Sequence, residues 1–414
     1  MKLELHIVQN LPPHNLNRDD TGAPKDTEFG GVRRARVSSQ CWKRAIRTGE
    51  GFQRELEGRV AVRTKRAAEE VARILTEEHG RESAPADMIA RAALGKLVSK
   101  TDDKGRTNVL FYVGRDELGA LAAAINEAWE TLAPLATTPT AVESPTEEKG
   151  KSVKRGGKKE KVADSKLEEA VGPILDAYYE QFEERLGAID IALFGRMLAE
   201  NTRLNVDAAC QVAHAISTNR VSMEFDYFTA VDDLNPSEET GAGMIGSVGY
   251  NSSCFYRYAV IDAQQLENNL GAASRQEEAR TMAREGMRAF LRGAITAIPT
   301  GKQNTFAAQT PPALVMTVVR PDGAQPMSLA NAFEQPVRPN NEHSLVAASV
   351  RRLDHHWRAM QKMYGSGGAQ PFVTVMEDVD TLDALGAHRC DGIDTLIDRT
   401  LAAVDAAWAA GGGE

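Results

Sequence analysis

Hydrophobic and polar residues alternate at the start of the chain, where Leu3, Leu5 and Ile7 are separated by polar residues. Because a period of two places the apolar side chains on one face, this segment is predicted to be a half-buried strand. Other short alternating or apolar segments predict further strands. They lie at 109–113, 221–227, 254–261, 313–319 and 372–375.

Apolar residues spaced three or four apart predict helices between these strands. The first such stripe runs from Val60 to Leu75 and ends near Gly80. Further helices are predicted at 85–98, 115–133, 166–186, 207–217, 274–296, 344–363 and from Ile393 to the end. Mixed strands with a block of helices inserted among them indicate an α+β fold.

A short helix after Ser38 and Ser39 carries the clearest chemical signal. Both serines are good N-cap residues, and Gln40, Lys43 and Arg47 follow at a spacing that places them on one helical face. Trp42, Ala45 and Ile46 can then face a core. The free N–H groups of the first turn and the helix dipole favour an anion there.

Charge supports this interpretation of the same segment. Residues 30–47 contain six Arg or Lys and no acid, although the chain has a formal net charge of −9. Gly30 and Gly31 precede the cations and permit close approach of the backbone to a ligand. A solvated basic helix is the alternative that composition leaves open.

A second basic run lies in a Thr-, Pro-, Ser- and Gly-rich stretch and is predicted to be part of a flexible loop at 137–165. Its cations are Lys149, Lys151, Lys154, Arg155, Lys158, Lys159 and Lys161. Such a run is either a solvated linker or an arm that binds nucleic acid through counterion release. We expect it to assist the encounter with duplex DNA.

Composition sets wider limits. With 414 residues, 42 % hydrophobic and 26 % charged, the chain is typical of a globular protein of two or three domains. No apolar run is long enough for a transmembrane helix or a signal-peptide core, so we expect a cytoplasmic protein without a membrane partner. The four cysteines are far apart, so neither disulfides, nor a metal site, nor any other cofactor is expected.

Two weaker motifs compete with this picture. Gly241, Gly243 and Gly246 spell G-x-G-x-x-G, but a strand pattern follows where a dinucleotide-binding fold would start a helix. His6 and His14 lie near the basic segment and could act as general acid and base in a metal-independent RNA nuclease. That enzymatic alternative stays open.

Collinear sequence blocks resemble the CasC family, the backbone subunits of the type I-E CRISPR Cascade complex, which polymerise along a guide RNA. The N-terminal blocks are LNRDD at 16–20, KD at 25–26, FGG at 29–31 and RRARVSSQ at 33–40. The later blocks are DIALFGRM at 190–197, VAHAIS at 212–217, DYFTAVDDL at 226–234, FYRYAVID at 255–262, ENNLGAASR at 267–275 and MSLANAFE at 327–334. The resemblance is weak from about 84 to 167.

This resemblance implies an RRM-like, ferredoxin-like palm with an inserted helical fingers region and a protruding thumb hairpin. The implied palm comprises 1–59, 188–218 and 251–414, the last with the C-terminal helices; the fingers are 60–187, and the thumb is 219–250. It also implies a protein with no catalytic residues. Its implied partners are guide RNA, target DNA, further copies of the chain and other Cascade subunits.

The resemblance also implies roles for individual residues. RNA backbone contacts are implied for Arg18, Lys25, Ser38, Gln40, Lys43 and Arg47. Phe228, Val231 and Ile245 are implied to be apolar wedges that turn one nucleotide out of the stack. Val231 suits the core of a hairpin equally well. Cys210 stands where the family can place a longer thioether, so a wedge role there is not expected.

Overall fold

The computed structural model describes residues 1–57, 59–102, 104–136, 157–183, 187–230, 233, 244–271 and 275–411, with the backbone alone at 157–165 and 181–183. The chain forms two compact units. Unit 1 consists of Met1–Gly58, Ala209–Leu266 and Ala283–Glu414, and unit 2 consists of Arg59–Ala208 and Glu267–Met282.

Unit 1 is built on an antiparallel sheet. Its strands are β1 (Lys2–His14), β2 (Asp26–Phe29), β3 (Val32–Val37), β6 (Cys210–Val212), β7 (Ala215–Ser217), β8 (Glu224–Ala230), β9 (Met244–Asp262), β10 (Leu314–Arg320) and β11 (Gln370–Val375). Seven of them follow the order β11-β10-β1-β9-β7-β3-β2, while β6 and β8 each pair with β9 alone. Unit 2 contributes a separate two-stranded pair, β4 (Val62–Thr64) and β5 (Phe111–Val113).

Strand β1 lies in the middle of the sheet, paired with β9 on one side and β10 on the other. The prediction that it is half-buried is wrong, because both of its faces are covered. Glu4 and His6, on the face expected to be solvated, are fully buried. Arg320 and the Tyr258 hydroxyl donate to the Glu4 carboxylate at 2.5 and 2.8 Å. The polar residues of this alternating pattern therefore form a buried hydrogen-bonded network.

The helices of unit 1 pack against this sheet. They are α1 (Ser39–Thr48), α2 (Glu50–Leu56), α11 (Gln303–Phe306), α12 (Leu345–Tyr364) and α13 (Ile393–Gly411), while α9 (Ala263–Leu270) and α10 (Gln276–Thr296) run on into unit 2. Helix α12 covers a core that includes Tyr256, Met316, Phe333 and Trp357.

Unit 2 is mainly helical and includes the segment 60–187 that was predicted to be a helical insertion. Its helices are α3 (Ala67–Glu77), α4 (Ser83–Leu97), α5 (Arg115–Glu127), α6 (Trp129–Ala136), α7 (Gly157–Glu183) and α8 (Ile189–Phe194). Leu, Ala and Val side chains at helical spacing form its core. Arg196 and Glu117 form a buried ion pair at 2.8 Å, and Glu117 also accepts the Gly114 N–H. Helix α7 begins at Gly157, so 157–165 do not belong to a loop as predicted.

Residues 207–217 are the other clear error of the sequence prediction. The sequence predicts a helix there, but the segment forms the strands β6 and β7. Cys210 pairs with Ile261 and Ile216 pairs with Tyr256, both on β9. Pairing with a long neighbouring strand overrides the local helical spacing.

Candidate nucleic-acid interface

Helix α1 forms as the sequence predicted. Ser38 is its N-cap, and the Ser38 hydroxyl oxygen accepts the Cys41 N–H at 3.3 Å. Trp42, Ala45 and Ile46 are buried against the core. Gln40 is exposed, and Lys43 and Arg47 are partly exposed on the same side of the helix.

A loop at residues 17–25 is fastened to the start of this helix. The Asn17 side-chain oxygen accepts the Ser38 N–H at 2.9 Å, and the Asn17 carbonyl accepts the Lys25 N–H at 2.8 Å. Asp19 closes the loop by accepting the N–H groups of Thr21 and Ala23. Asn17 therefore holds the predicted RNA contacts of this loop beside the helix N-terminus.

Cations from three elements lie close to this loop and helix. Lys25 of the loop, Arg36 of β3 and Arg44 of α1 all lie near Cys41 or His214. Burial raises the pKa of the Cys41 thiol, while the charges of Arg44 and Lys25 oppose that rise.

The same cations also affect the protonation of His214. Burial, Arg36 and Lys25 all lower the pKa of His214, and Arg36 donates a hydrogen bond to His214 Nδ1 at 3.1 Å. Burial raises the pKa of the Cys210 thiol to about 12, and the positive charge of the nearby Lys43 opposes this rise. We call Lys25, Arg36, Lys43, Arg44 and Arg47 the α1 basic surface.

Not every cation of the basic segment belongs to this surface. The Arg34 side chain is fully buried and donates to the carbonyls of Ser217, Thr218, Phe333 and Glu334 at 2.8–2.9 Å. Arg33 pairs with Asp26 across the β2–β3 hairpin at 2.5 Å. Arg34 thus belongs to the interior of unit 1, whereas Arg33 is exposed and Arg36 is partly exposed.

Gly30 and Gly31 also have a structural role. They form the turn between β2 and β3 with φ of 61° and 73°, where side chains are strained. A Cβ on Gly30 would collide with the Glu334 carbonyl. At Gly30 the close approach that the sequence suggested is therefore to the protein's own backbone, so the expectation that this glycine admits a ligand is wrong. A Cβ on Gly31 would meet nothing within 4 Å, so the expectation for Gly31 stays a prediction.

Strands β8 and β9 form the hairpin expected at 219–250, and its described residues are largely exposed. Its base contacts the loop at 17–25, since Asn15 donates to the carbonyls of both Gly22 and Gly249 at 3.0 and 2.9 Å. The hairpin base and the α1 basic surface are thus linked within unit 1.

Register decides which hairpin side chains share a face. Phe228 pairs with Gly246, and Ile245 pairs with Thr229. Because directly opposite residues point to the same side, Phe228 and Ile245 lie on opposite faces. They are therefore not a cross-strand pair. A Cβ at Gly246 would run into the Phe228 ring, so the missing side chain there makes room for that ring.

The two faces differ in chemistry. Phe225, Tyr227 and Ile245 share an uncharged face and are 71 %, 64 % and 62 % exposed. Phe228, which is 37 % exposed, shares its face with Glu224 and Asp226. Phe225 and Tyr227 were not among the residues predicted from the sequence to contact RNA, although their alternation within β8 could have indicated them.

Several predicted site residues have other outcomes. Val231 and the cations Lys149, Lys151, Lys154 and Arg155 lie outside the described residues, as do the side chains of Lys158, Lys159 and Lys161. Cys210 is buried in β6.

The residues considered for catalysis are enclosed by protein. His6 is fully buried with its Nδ1 2.8 Å from the Tyr256 hydroxyl, and His14 is 2 % exposed beside the Pro12 carbonyl. Within the described ranges, no three His, Cys, Asp or Glu side chains converge as a metal site requires. Nor does any described helix combine the length and apolarity needed to cross a membrane.

The amino-acid sequence matches the model of a known protein family. The family described as CT1975-like protein matches residues 3–399. The chain is a member of the CT1975-like family. No curated protein matches it.

Solved structures similar to this CT1975-like protein come from CRISPR RNA-guided surveillance complexes. One, in a pre-nicking complex, is 32 % identical, with a TM-score of 0.72, and the match covers 97 % of this chain and 100 % of that one. A second is 28 % identical, with a TM-score of 0.68 and the same coverage. The CasC resemblance inferred from sequence blocks is confirmed along nearly the whole chain.

Proposed function

We propose that this CT1975-like protein is a non-enzymatic, guide-RNA-binding backbone subunit of a type I-E Cascade complex. In this proposal it polymerises along the CRISPR RNA beside other Cascade subunits and presents the bases for pairing with target DNA. The RRM-like palm, the fingers and the thumb are part of the same proposal.

One observation carries the proposal: cations from three elements lie around the start of α1, and Asn17 fastens the loop that carries one of them, Lys25, to Ser38. Cations and free helix N–H groups bind phosphates without regard to base identity. A subunit that must accept any guide sequence needs this kind of contact, because the base edges have to stay free for pairing.

The hairpin supplies the second part of the mechanism. A β-ribbon standing between two consecutive bases would touch one base with each face. Phe228 and Ile245, on opposite faces, then contact the two bases, and Tyr227 extends the face of Ile245. Apolar and aromatic side chains suit such a gap because they stack on any base.

The nuclease alternative has less support. A general acid or base must come within hydrogen-bond reach of the RNA. His6 and His14 are buried, and both ring systems already have partners inside the protein. Neither side chain is available to substrate in this arrangement.

The proposal is tested by a binding titration with RNA at several salt concentrations. Replacing Lys43 and Arg47 by Ala should weaken binding regardless of RNA sequence. The slope of log K against log salt should fall by about 0.7 for each phosphate that no longer has a cationic partner. The matched control removes two exposed cations elsewhere in unit 1, Arg338 and Lys362.

If the double variant binds RNA with the slope of the wild type, α1 does not bind phosphates. If both double variants weaken binding equally, only the net charge of the protein matters. Incubation with repeat-containing RNA tests the enzymatic alternative, because cleavage that is abolished by His→Ala substitution would contradict a scaffold role.

A further inference from the structure

One buried side chain ties the hairpin to the loop at residues 17–25. Asn15 is fully buried, and its side-chain amide donates to the Gly22 carbonyl of the loop and to the Gly249 carbonyl of β9 at 3.0 and 2.9 Å. A carbonyl oxygen can only accept, so both contacts use the N–H groups of the amide. Asn15 thus joins two segments that the proposed site uses together.

The chain just before Asn15 is irregular. The register of β1 against β9 shifts between Leu11 and His14, across Pro12 and Pro13. Proline has no N–H to donate, and a bulge of this kind changes the direction of the side chains that follow it. The irregularity therefore lies where the chain leaves the sheet and turns Asn15 towards the loop and the hairpin.

The next two residues fix the same segment to α1. Leu16 is 4 % exposed and belongs to a hydrophobic cluster with Trp42. The Asn17 side chain accepts the Ser38 N–H at 2.9 Å. Residues 15–17 therefore contact the hairpin, the core and the start of α1 in turn.

The hairpin depends on contacts at its base for its direction. Strand β8 pairs with β9, and a two-stranded ribbon is marginally stable by itself and twists more than a wide sheet. A Cβ on Gly249 would lie 3.4 Å from Pro24 Cδ, so the ribbon packs directly on the loop. Phe306 packs against Tyr250 with the ring centroids 5.5 Å apart. The amide of Asn15 adds hydrogen bonds, which are directional, to these apolar contacts.

Asn15 carries a cost in stability at this position. Its Oδ1 is buried and has no hydrogen-bond partner among the described residues. A buried polar atom without a partner destabilises the folded state. Some proteins retain such a group because it fixes one arrangement of the surrounding segments. Here the segments that Asn15 fixes are the loop and the hairpin.

We propose that Asn15 is a positioning residue, which sets the direction of the hairpin relative to the α1 basic surface so that one RNA strand contacts both. Its side chain is fully enclosed, so it acts through the hairpin and not by touching RNA. A ligand that contacts two surfaces gains most when their spacing is fixed before it binds. The inference rests on the proposed function, in which guide RNA occupies the α1 basic surface and the hairpin.

Two double-mutant cycles test this role, measured as the affinity of the full chain for single-stranded RNA of guide length. N15L removes both donors at nearly constant side-chain volume. F228A should weaken binding on the order of tenfold in the wild type, but by less than about twofold in N15L, whose hairpin is already misdirected. K43A should have the same effect in both backgrounds, because the cations of α1 do not depend on Asn15.

T317V is the matched control for lost stability. It removes the buried hydrogen bond between the Thr317 and Thr400 hydroxyls at 2.6 Å, elsewhere in unit 1. F228A should weaken binding as much in T317V as in the wild type, because lower stability alone does not redirect the hairpin. If urea denaturation shows that N15L does not fold, N15S takes its place. A serine hydroxyl has one proton and can serve only one of the two carbonyls, so F228A should again have a smaller effect than in the wild type.

An F228A effect that is equal in the wild type and in the Asn15 variant would overturn the inference and leave the proposed function intact. Coupling of N15L to K43A as strong as its coupling to F228A would also overturn it, because the variant would then disturb the whole site. If neither F228A nor K43A weakens binding by the wild type, the proposed function itself is refuted, and the inference with it.

Discussion

Asn17 offers a way to separate the folding of the site from its binding. Its side-chain oxygen accepts the N–H of Ser38, a residue only 7 % exposed. Replacing Asn17 by Ala leaves that N–H without its acceptor in a buried position. An unsatisfied buried donor costs about 1–3 kcal/mol, so we expect N17A to lower the free energy of unfolding by that amount.

The variant N17D keeps the acceptor but adds a negative charge. Its stability should therefore stay close to that of the wild type. A unit charge 4 Å from a phosphate contributes about 1 kcal/mol in bulk water and about 4 kcal/mol near a protein surface. We accordingly expect N17D to weaken RNA binding by about 1–3 kcal/mol at low salt, an effect that shrinks as salt screens it.

Urea denaturation and RNA titration, applied to both variants, provide the two measurements. N17A should lose stability and affinity together, and N17D should lose affinity alone. RNA binding by N17D that equals the wild type at low salt would show that no phosphate lies near the start of α1.

Three further predictions concern neighbouring residues. Iodoacetamide at a pH of about 8.5 should modify the partly exposed Cys41 before the buried Cys210, because burial raises the pKa of Cys210 to about 12. Bound RNA should protect Cys41 from this reaction, and equal labelling with and without RNA would count against the site. The pKa of His214 is lowered, so this side chain is neutral at pH 7 and gains a proton only below the pH at which a histidine ordinarily does. RNA affinity should therefore rise as the pH falls through the pKa of His214. In binding assays, the variant H214N should not show this rise. Y227A and F228A should each weaken assembly on RNA by about 1–3 kcal/mol, and the losses should add because the two rings lie on opposite hairpin faces; strong coupling in a double-mutant cycle would contradict a wedge with two faces.

The α1 site could be anticipated from sequence because its determinants are local. A serine cap, a helical period and a cluster of cations all lie within a few turns of chain. The same holds for the terminal strand and for the long helices α10, α12 and α13, whose apolar spacing is strong.

Features that depend on distant partners could not be read in this way. Arg34 and Arg36 look equivalent in the sequence, yet only the pairing of β3 shows that one is buried and the other reaches His214. The strands at 210–217 exist because β9 pairs with them. Likewise, the placement of Phe228 and Ile245 depends on register, which sequence alternation within each strand does not fix.

The central claim is that guide RNA lies along the α1 basic surface and the adjoining hairpin. Ultraviolet crosslinking of the RNA in the purified complex, followed by mass spectrometry of the attached peptides, tests it most directly. The account predicts crosslinks in residues 17–25, 36–47 and 224–230. Crosslinks confined to other segments, or a complex that purifies without RNA, would contradict it.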